Sequence, residues 1–164
     1  MARHRPTVIV GESAGGGLAM SLVRRVLDLG GDAPKGLVTM VPWADLTNSS
    51  DSFVRNEHRD MLSRNGLSRS AAAYAGDHDL TSPQLSPLYG SFADFPRTLI
   101  AVGTHDCLLD DSRGATARMR AAGVDVTLVE VPAGFHGFIL LPAPESKEAR
   151  QQISTFVGTA LSDH

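Results

Sequence analysis

The chain has 164 residues, 42% of them hydrophobic and 20% charged, an ordinary globular balance and a length that suits one domain with a real core. A net charge of −3 gives no reason to expect nucleic acid or an anionic membrane as a partner. The single cysteine, Cys107, excludes an internal disulfide and fits a reducing compartment. No apolar run is long enough to span a membrane, and the one after the basic residues 1–5 is too short for a signal peptide, so the cytoplasm is the expected location.

Residues 7–10 form a fully apolar run of the buried, parallel-strand type. The run ends in Gly11-Glu12-Ser13-Ala14-Gly15, and a helical stretch follows at once. This is a G-x-S-x-G pattern in the strand–turn–helix setting that a nucleophilic serine requires. Glycines two before and two after Ser13 leave room for a tight turn with a strained central residue. The helix N-terminus beside it favours developing negative charge, and the Ala14 N–H is the expected oxyanion donor. Nucleotide-binding loops fit these glycines poorly. No Lys follows as a P-loop demands, and Met20 stands where G-x-G-x-x-G needs its third glycine.

Residues 14–29 read as a helix, with Leu18, Leu22, Val26 and Leu29 on one face and Arg24, Arg25 and Asp28 towards water. Gly30-Gly31 ends it, and 36–41 is a second buried strand stopped by Pro42. Residues 43–97 are less regular: a polar loop from Asn48, a charged stretch over 55–65, a short helix over 67–75 and a proline-punctuated loop over 76–87. A long insertion between core strands commonly forms a lid or pocket wall, and 48–85 is the segment expected to do so. Alternation then returns: a strand at 98–102, a helix at 110–122, a strand at 126–131 and a helix at 144–161. That last helix offers Ile153, Phe156, Val157 and Leu161 as buried candidates. The pattern predicts an α/β fold with a mostly parallel sheet of about four strands covered by helices.

A nucleophilic serine needs a base, and the base an orienting acid. In parallel α/β sheets such groups stand at the carboxyl ends of strands. The third strand runs into Asp106, and the fourth into Phe135-His136-Gly137-Phe138. The chain order is therefore Ser13, Asp106, His136, the Ser–acid–His order of α/β-hydrolases. His105 is the rival base. Asp110 and Asp111 are rival acids, but they lie where helix capping accounts for them. Asp77-His78-Asp79 with His58 lacks a further ligand at metal-like spacing, so no metal is expected. Cys107 reads as a small packing residue.

These segments together resemble the hormone-sensitive-lipase-type bacterial esterases of the α/β-hydrolase fold. The elbow Gly11-Glu12-Ser13-Ala14-Gly15-Gly16 is similar to their Gly-Asp-Ser-Ala-Gly-Gly, with Glu12 for Asp. Pro42-Trp43-Ala44-Asp45-Leu46-Thr47, Ser86-Pro87-Leu88-Tyr89 and the histidine loop at His136 match in order and spacing. Asp106-Cys107-Leu108-Leu109-Asp110 resembles an Asp-Pro-Leu-x-Asp motif, with Cys107 for Pro. The resemblance implies a carboxylic ester hydrolase for short or medium acyl esters, acting through an acyl-enzyme without cofactor. Trp43, Phe135 and Phe138 are then expected at the substrate pocket.

One family feature has no counterpart. Nothing before residue 7 resembles the family's His-Gly-Gly-Gly oxyanion segment, and Gly15-Gly16-Gly17 belongs to the helix start. The family's first strands have no counterpart either, so residues 1–164 are similar to a carboxyl-terminal half of the fold. In that strand order 7–10 has a neighbour on each side. The expectation is weak activity and self-association through an exposed 7–10 edge. An amide-cleaving hydrolase and a non-catalytic module that keeps the fold are the alternatives.

Overall fold

The computed structural model describes residues 6–162 of the protein, so the expectation about the basic start at 1–5 lies outside the described residues. Four strands, β1 (Val8–Glu12), β2 (Gly36–Met40), β3 (Thr98–Gly103) and β4 (Val126–Val131), form one sheet in the order β1-β2-β3-β4. Every pair is parallel, with Val10 opposite Val38, Thr39 opposite Ile100 and Ile100 opposite Leu128. Parallel neighbours need crossovers. Helix α1 (Ala14–Asp28) supplies the first, α2 (Ser52–Asn56) and α3 (Arg64–Ala75) lie in the second, and α4 (Leu109–Ala121) supplies the third. Helix α5 (Pro144–Ser162) follows β4.

Alternation along the central strands separates two core layers. Leu37 and Ile100 pack with Ala19, Met20 and Val23 of α1 and with Ala115 and Met119 of α4. Val38, Leu99 and Ala101 meet Ile153, Phe156 and Val157 of α5. Both faces of the sheet are covered, which is why its strands read as continuous apolar runs. Among the described residues no helix is long and apolar enough to cross a membrane.

Two expected helix faces are corrected. In α1 the buried residues are Gly16, Gly17, Ala19, Met20 and Val23, whereas Leu18, Leu22 and Leu29 are 61%, 48% and 69% exposed. The reason is steric. A Cβ on Gly16 would stand 2.9 Å from Pro42 and one on Gly17 would stand 2.1 Å from the Trp43 carbonyl, so the glycine side is the one that closes on the chain just after β2. Arg24, expected in water, is partly buried and donates to the Ala93 carbonyl and the Asp28 carboxylate. In α5, Leu161 is exposed and Ala149 and Ala160 take the buried positions. Smaller boundary differences also arise. β1 continues through Gly11 and Glu12, and α3 begins at Arg64 because the Ser63 hydroxyl caps it by accepting from the Gly66 N–H.

Candidate active site

The site is built at the carboxyl ends of β1, β3 and β4. β1 runs to Glu12, and α1 begins at Ala14, leaving Ser13 alone to turn the chain. Its φ of 55° and ψ of −123° form a combination that a residue with a side chain rarely adopts. Four backbone bonds hold it there, one of them from the Gly17 N–H to the Ser13 carbonyl at 3.3 Å. The Ser13 N–H donates to the Met40 carbonyl at 2.9 Å, and the Ser13 carbonyl accepts from Gly16 at 2.9 Å and from Trp43 at 3.0 Å. Gly11 makes the turn possible, since a Cβ there would lie 2.2 Å from the Gly15 carbonyl oxygen. The Ala14 N–H has no acceptor among the described residues and points from the first turn of α1.

Asp106 follows β3, and His136 follows β4. The His136 Nε2 stands 2.8 Å from the Ser13 Oγ, and its Nδ1 stands 3.1 Å from the Asp106 Oδ2. These partners select one tautomer: Nδ1–H donates to the carboxylate, and Nε2 accepts from the Ser13 hydroxyl. Asp106 is fully buried, and its second oxygen accepts from the Leu108 N–H at 2.7 Å. Burial draws the His136 pKa down, but the bond to Asp106 and its charge, with Asp60 and Glu12 adding to them, outweigh burial and leave it above the usual histidine value. Burial is also the main influence on Asp106 and pushes its carboxyl up, against His136 and the Leu108 N–H.

The rival acids are engaged elsewhere, and the imidazole bonded to Ser13 is that of His136, not His105. The main-chain N–H of His105 donates to the Gly134 carbonyl, tying the acid loop to the histidine loop. Capping does not account for Asp110 or Asp111, because α4 has no side-chain cap bond. Asp110 instead pairs with Arg55 at 2.8 Å and accepts from the Ser52 N–H. Asp111 is buried, and one of its oxygens accepts from the N–H groups of Ala44 and Asp45, which fixes the loop after β2. Burial pushes its carboxyl up to about 8. The Cys107 thiol is pushed up to about 12 by burial and the neighbouring Asp60, which makes it a poor nucleophile.

Asp60 escapes sequence reading altogether, because it lies in a charged run with no periodicity and no motif. One of its oxygens accepts from the Cys107 N–H at 2.7 Å, and the other accepts from the His136 N–H at 2.8 Å. Asp60, Asp106 and His136 bring ligand atoms within 4.8 Å of one another, the set among the described residues that could hold a metal ion. All three already share hydrogen bonds. Asp79 is occupied by the N–H and hydroxyl of Thr81.

A cavity of about 310 Å³ borders the first turn of α1. Its lining includes Ala14, Gly15, Trp43 and Leu46, with Ser70, Tyr74 and Leu85 from the segment 48–85. The Trp43 indole is held by donating to the Asp45 carbonyl and to the Asn48 Oδ1. Phe138 lies apart from that lining, buried with Val41, Val102 and Ile139, while Phe135 is partly buried in the histidine loop.

Residues 2–140 match the family described as the alpha/beta hydrolase fold. An acetyl-hydrolase of Streptomyces hygroscopicus is 32% identical over 94% of this chain and 53% of its own length. An esterase of Acinetobacter venetianus is 33% identical over 94% of this chain and 52% of its own. A crystal structure of an esterase from the bacterial hormone-sensitive lipase family superposes with a TM-score of 0.91 at 32% identity, covering 94% of this chain and 53% of that one. The chain thus spans about half the length of the curated relatives it matches. Sheet order, serine turn and sequence agree, and the chain belongs to the α/β-hydrolase family, in its bacterial hormone-sensitive-lipase branch.

Proposed function

We propose that this chain carries the Ser–His–Asp triad of a serine carboxylic ester hydrolase. The observation that carries the reading is the unbroken series Ser13 Oγ, His136 and Asp106, with spacings of 2.8 and 3.1 Å. His136 takes the hydroxyl proton as the Ser13 oxygen attacks the acyl carbon. The Ala14 N–H faces the oxyanion that forms. His136 then gives the proton to the departing alcohol, leaving an acyl-serine, and the same base activates a water that releases the acid. Asp106 keeps the ring in the right tautomer and offsets its positive charge. Acetyl-hydrolase and esterase relatives, together with a cavity of about 310 Å³, support small esters with short or medium acyl groups as substrates. No cofactor enters this scheme.

Turnover by residues 1–164 alone is expected to be slow. The sequence has no His-Gly-Gly-Gly segment beside the Ala14 donor. Each oxyanion donor typically contributes roughly 10²–10³ in turnover. A non-catalytic role for the fold is therefore the second reading, and a chemical probe separates the two. A fluorophosphonate should label Ser13 in the intact chain, as read by mass spectrometry. Labelling should vanish in Ser13→Ala and fall at least 100-fold in His136→Ala. The base must be neutral, so the labelling rate should rise with pH through a midpoint above the ordinary histidine value. Equal labelling of wild type and His136→Ala would defeat the triad.

A further inference from the structure

We infer that Asp60 is a positioning residue for the reaction proposed above, clamping the acid loop and the base loop to each other through their main chains. The inference rests on the triad reading, because what Asp60 positions is Asp106 and His136. Its two carboxylate oxygens divide the work. Oδ2 accepts from the N–H of Cys107, the residue after the acid, and Oδ1 accepts from the N–H of His136, the base itself. Cys107 is 1% exposed and His136 7%, so water is a poor substitute partner for either N–H.

The clamp is itself anchored. The Asp60 N–H donates to the Asn56 carbonyl at 3.0 Å, and its carboxylate also accepts from the Met61 N–H at 2.7 Å. The Asn56 side chain donates to the Thr104 and Asp106 carbonyls at 3.1 and 2.8 Å. The Ser52 hydroxyl donates to the Cys107 carbonyl. The insertion thus grips the acid loop at Thr104, Asp106 and Cys107, and reaches the base loop through Asp60. The insertion bears on the chemistry as well as on a pocket wall.

Charge gives the clamp a signature. The charged groups facing His136 are Asp106 from the loop after β3, Asp60 from the segment between α2 and α3, and Glu12 from the end of β1. All three favour the imidazolium. Asp60→Asn removes one of these charges and keeps one carbonyl oxygen, so one of the two loop N–H groups loses its acceptor. Asp60→Glu keeps charge and both acceptors on a longer stem.

The test uses the intact chain and two readouts. The first is the His136 titration by NMR, which needs no turnover. The second is the rate of fluorophosphonate labelling at Ser13. In Asp60→Asn the titration midpoint should move down in pH and the labelling rate should fall by roughly 10- to 100-fold, the scale of a misplaced catalytic group. Asp60→Glu should recover part of both. Asp79→Asn, which removes a carboxylate bonded only within its own loop, should leave both unchanged. A folded Asp60→Asn with wild-type titration and labelling overturns the inference. Slower labelling with an unmoved midpoint and no rescue by Asp60→Glu also overturns it, because that pattern is general structural damage. If wild-type Ser13 is never labelled, the ester hydrolase reading fails on its own, and the titration still decides whether Asp60 acts on His136.

Discussion

Ser13 and Val41 both have positive φ, 55° and 44°, at the ends of the neighbouring strands β1 and β2. A β-branched residue with φ above zero is costly, so surrounding bonds must over-determine it. The Val41 N–H donates to the Ala101 carbonyl at 2.7 Å, and the loop beyond it is fixed by Asp111 through the Ala44 and Asp45 N–H groups. One Asp111 oxygen is buried without a hydrogen-bond partner, which fits a carboxyl that holds its proton. With a folded value near 8 against 3.8 for the free group, the native state binds the proton more tightly. Its contribution to stability is complete below about 3.8 and is lost as pH rises through about 8. Asp111→Asn keeps an oxygen for the Ala44 and Asp45 N–H groups and cannot ionise. Its stability relative to wild type should therefore grow with pH across that window, by a few kcal/mol at about 1.4 kcal/mol per unit. Urea unfolding at several pH values checks this, and a pH-independent difference would refute it. At this scale Ser13, Asp106 and His136 were legible because each closes a strand and their order along the chain has a chemical meaning. Asp60 and Asp111 were not, because each acts through main-chain N–H groups that are distant in sequence.

Periodicity located all four strands and the helices α1, α3, α4 and α5, but it misjudged which side of α1 is inside. Two apolar stripes compete on that helix, and the larger leucines belong to the exposed one. Hydrophobic size is visible in a sequence, whereas the close approach allowed by Gly16 and Gly17 is visible only once Pro42 and Trp43 are in place. The short helix α2 was missed for a related reason, since its buried residues Ser52, Phe53 and Asn56 are mostly polar and are satisfied by the acid loop. A second close approach joins β3 to the base loop. A Cβ on Gly103 would fall 2.0 Å from the Gly134 carbonyl oxygen, a backbone atom with no freedom to rotate aside. Gly103→Ala should therefore separate the two loops, destabilise the chain by about 1–3 kcal/mol and slow Ser13 labelling. Gly158→Ala, at an exposed position of α5 with nothing within 4 Å of the new methyl, should instead stabilise by about 0.5–1 kcal/mol. Thermal melts of the two variants against wild type test both signs, and equal shifts would show that the Gly103 contact is not restrictive.

The whole molecule presents an unbalanced surface. β4 and β1 are the two ends of the sheet, and β1 pairs only with β2 among the described residues. Val10 on that edge strand is 51% exposed, and Leu18, Leu22 and Leu29 add apolar surface on the adjoining helix. A strand edge with unpaired N–H and C=O groups beside apolar side chains is a template for another chain. The small net charge of −3 opposes association only weakly. We expect residues 1–164 to self-associate through β1 and the outer face of α1, with the apparent size on a sizing column rising with concentration. A charge at the edge should block strand pairing, and one on the helix should block apolar contact, so Val10→Lys and Leu22→Glu should each shift the chain towards monomer without loss of fold. Those variants also divide two causes for the slow turnover proposed above. If masking of the cavity near Leu18 by association were responsible, the monomeric variants would label Ser13 faster than wild type. If the single Ala14 donor is responsible, as proposed above, monomer and assembly will label Ser13 about equally and both will turn esters over slowly. A wild-type chain that stays monomeric at every concentration would remove the edge from this account, and brisk ester turnover by that monomer would remove the oxyanion deficit as well.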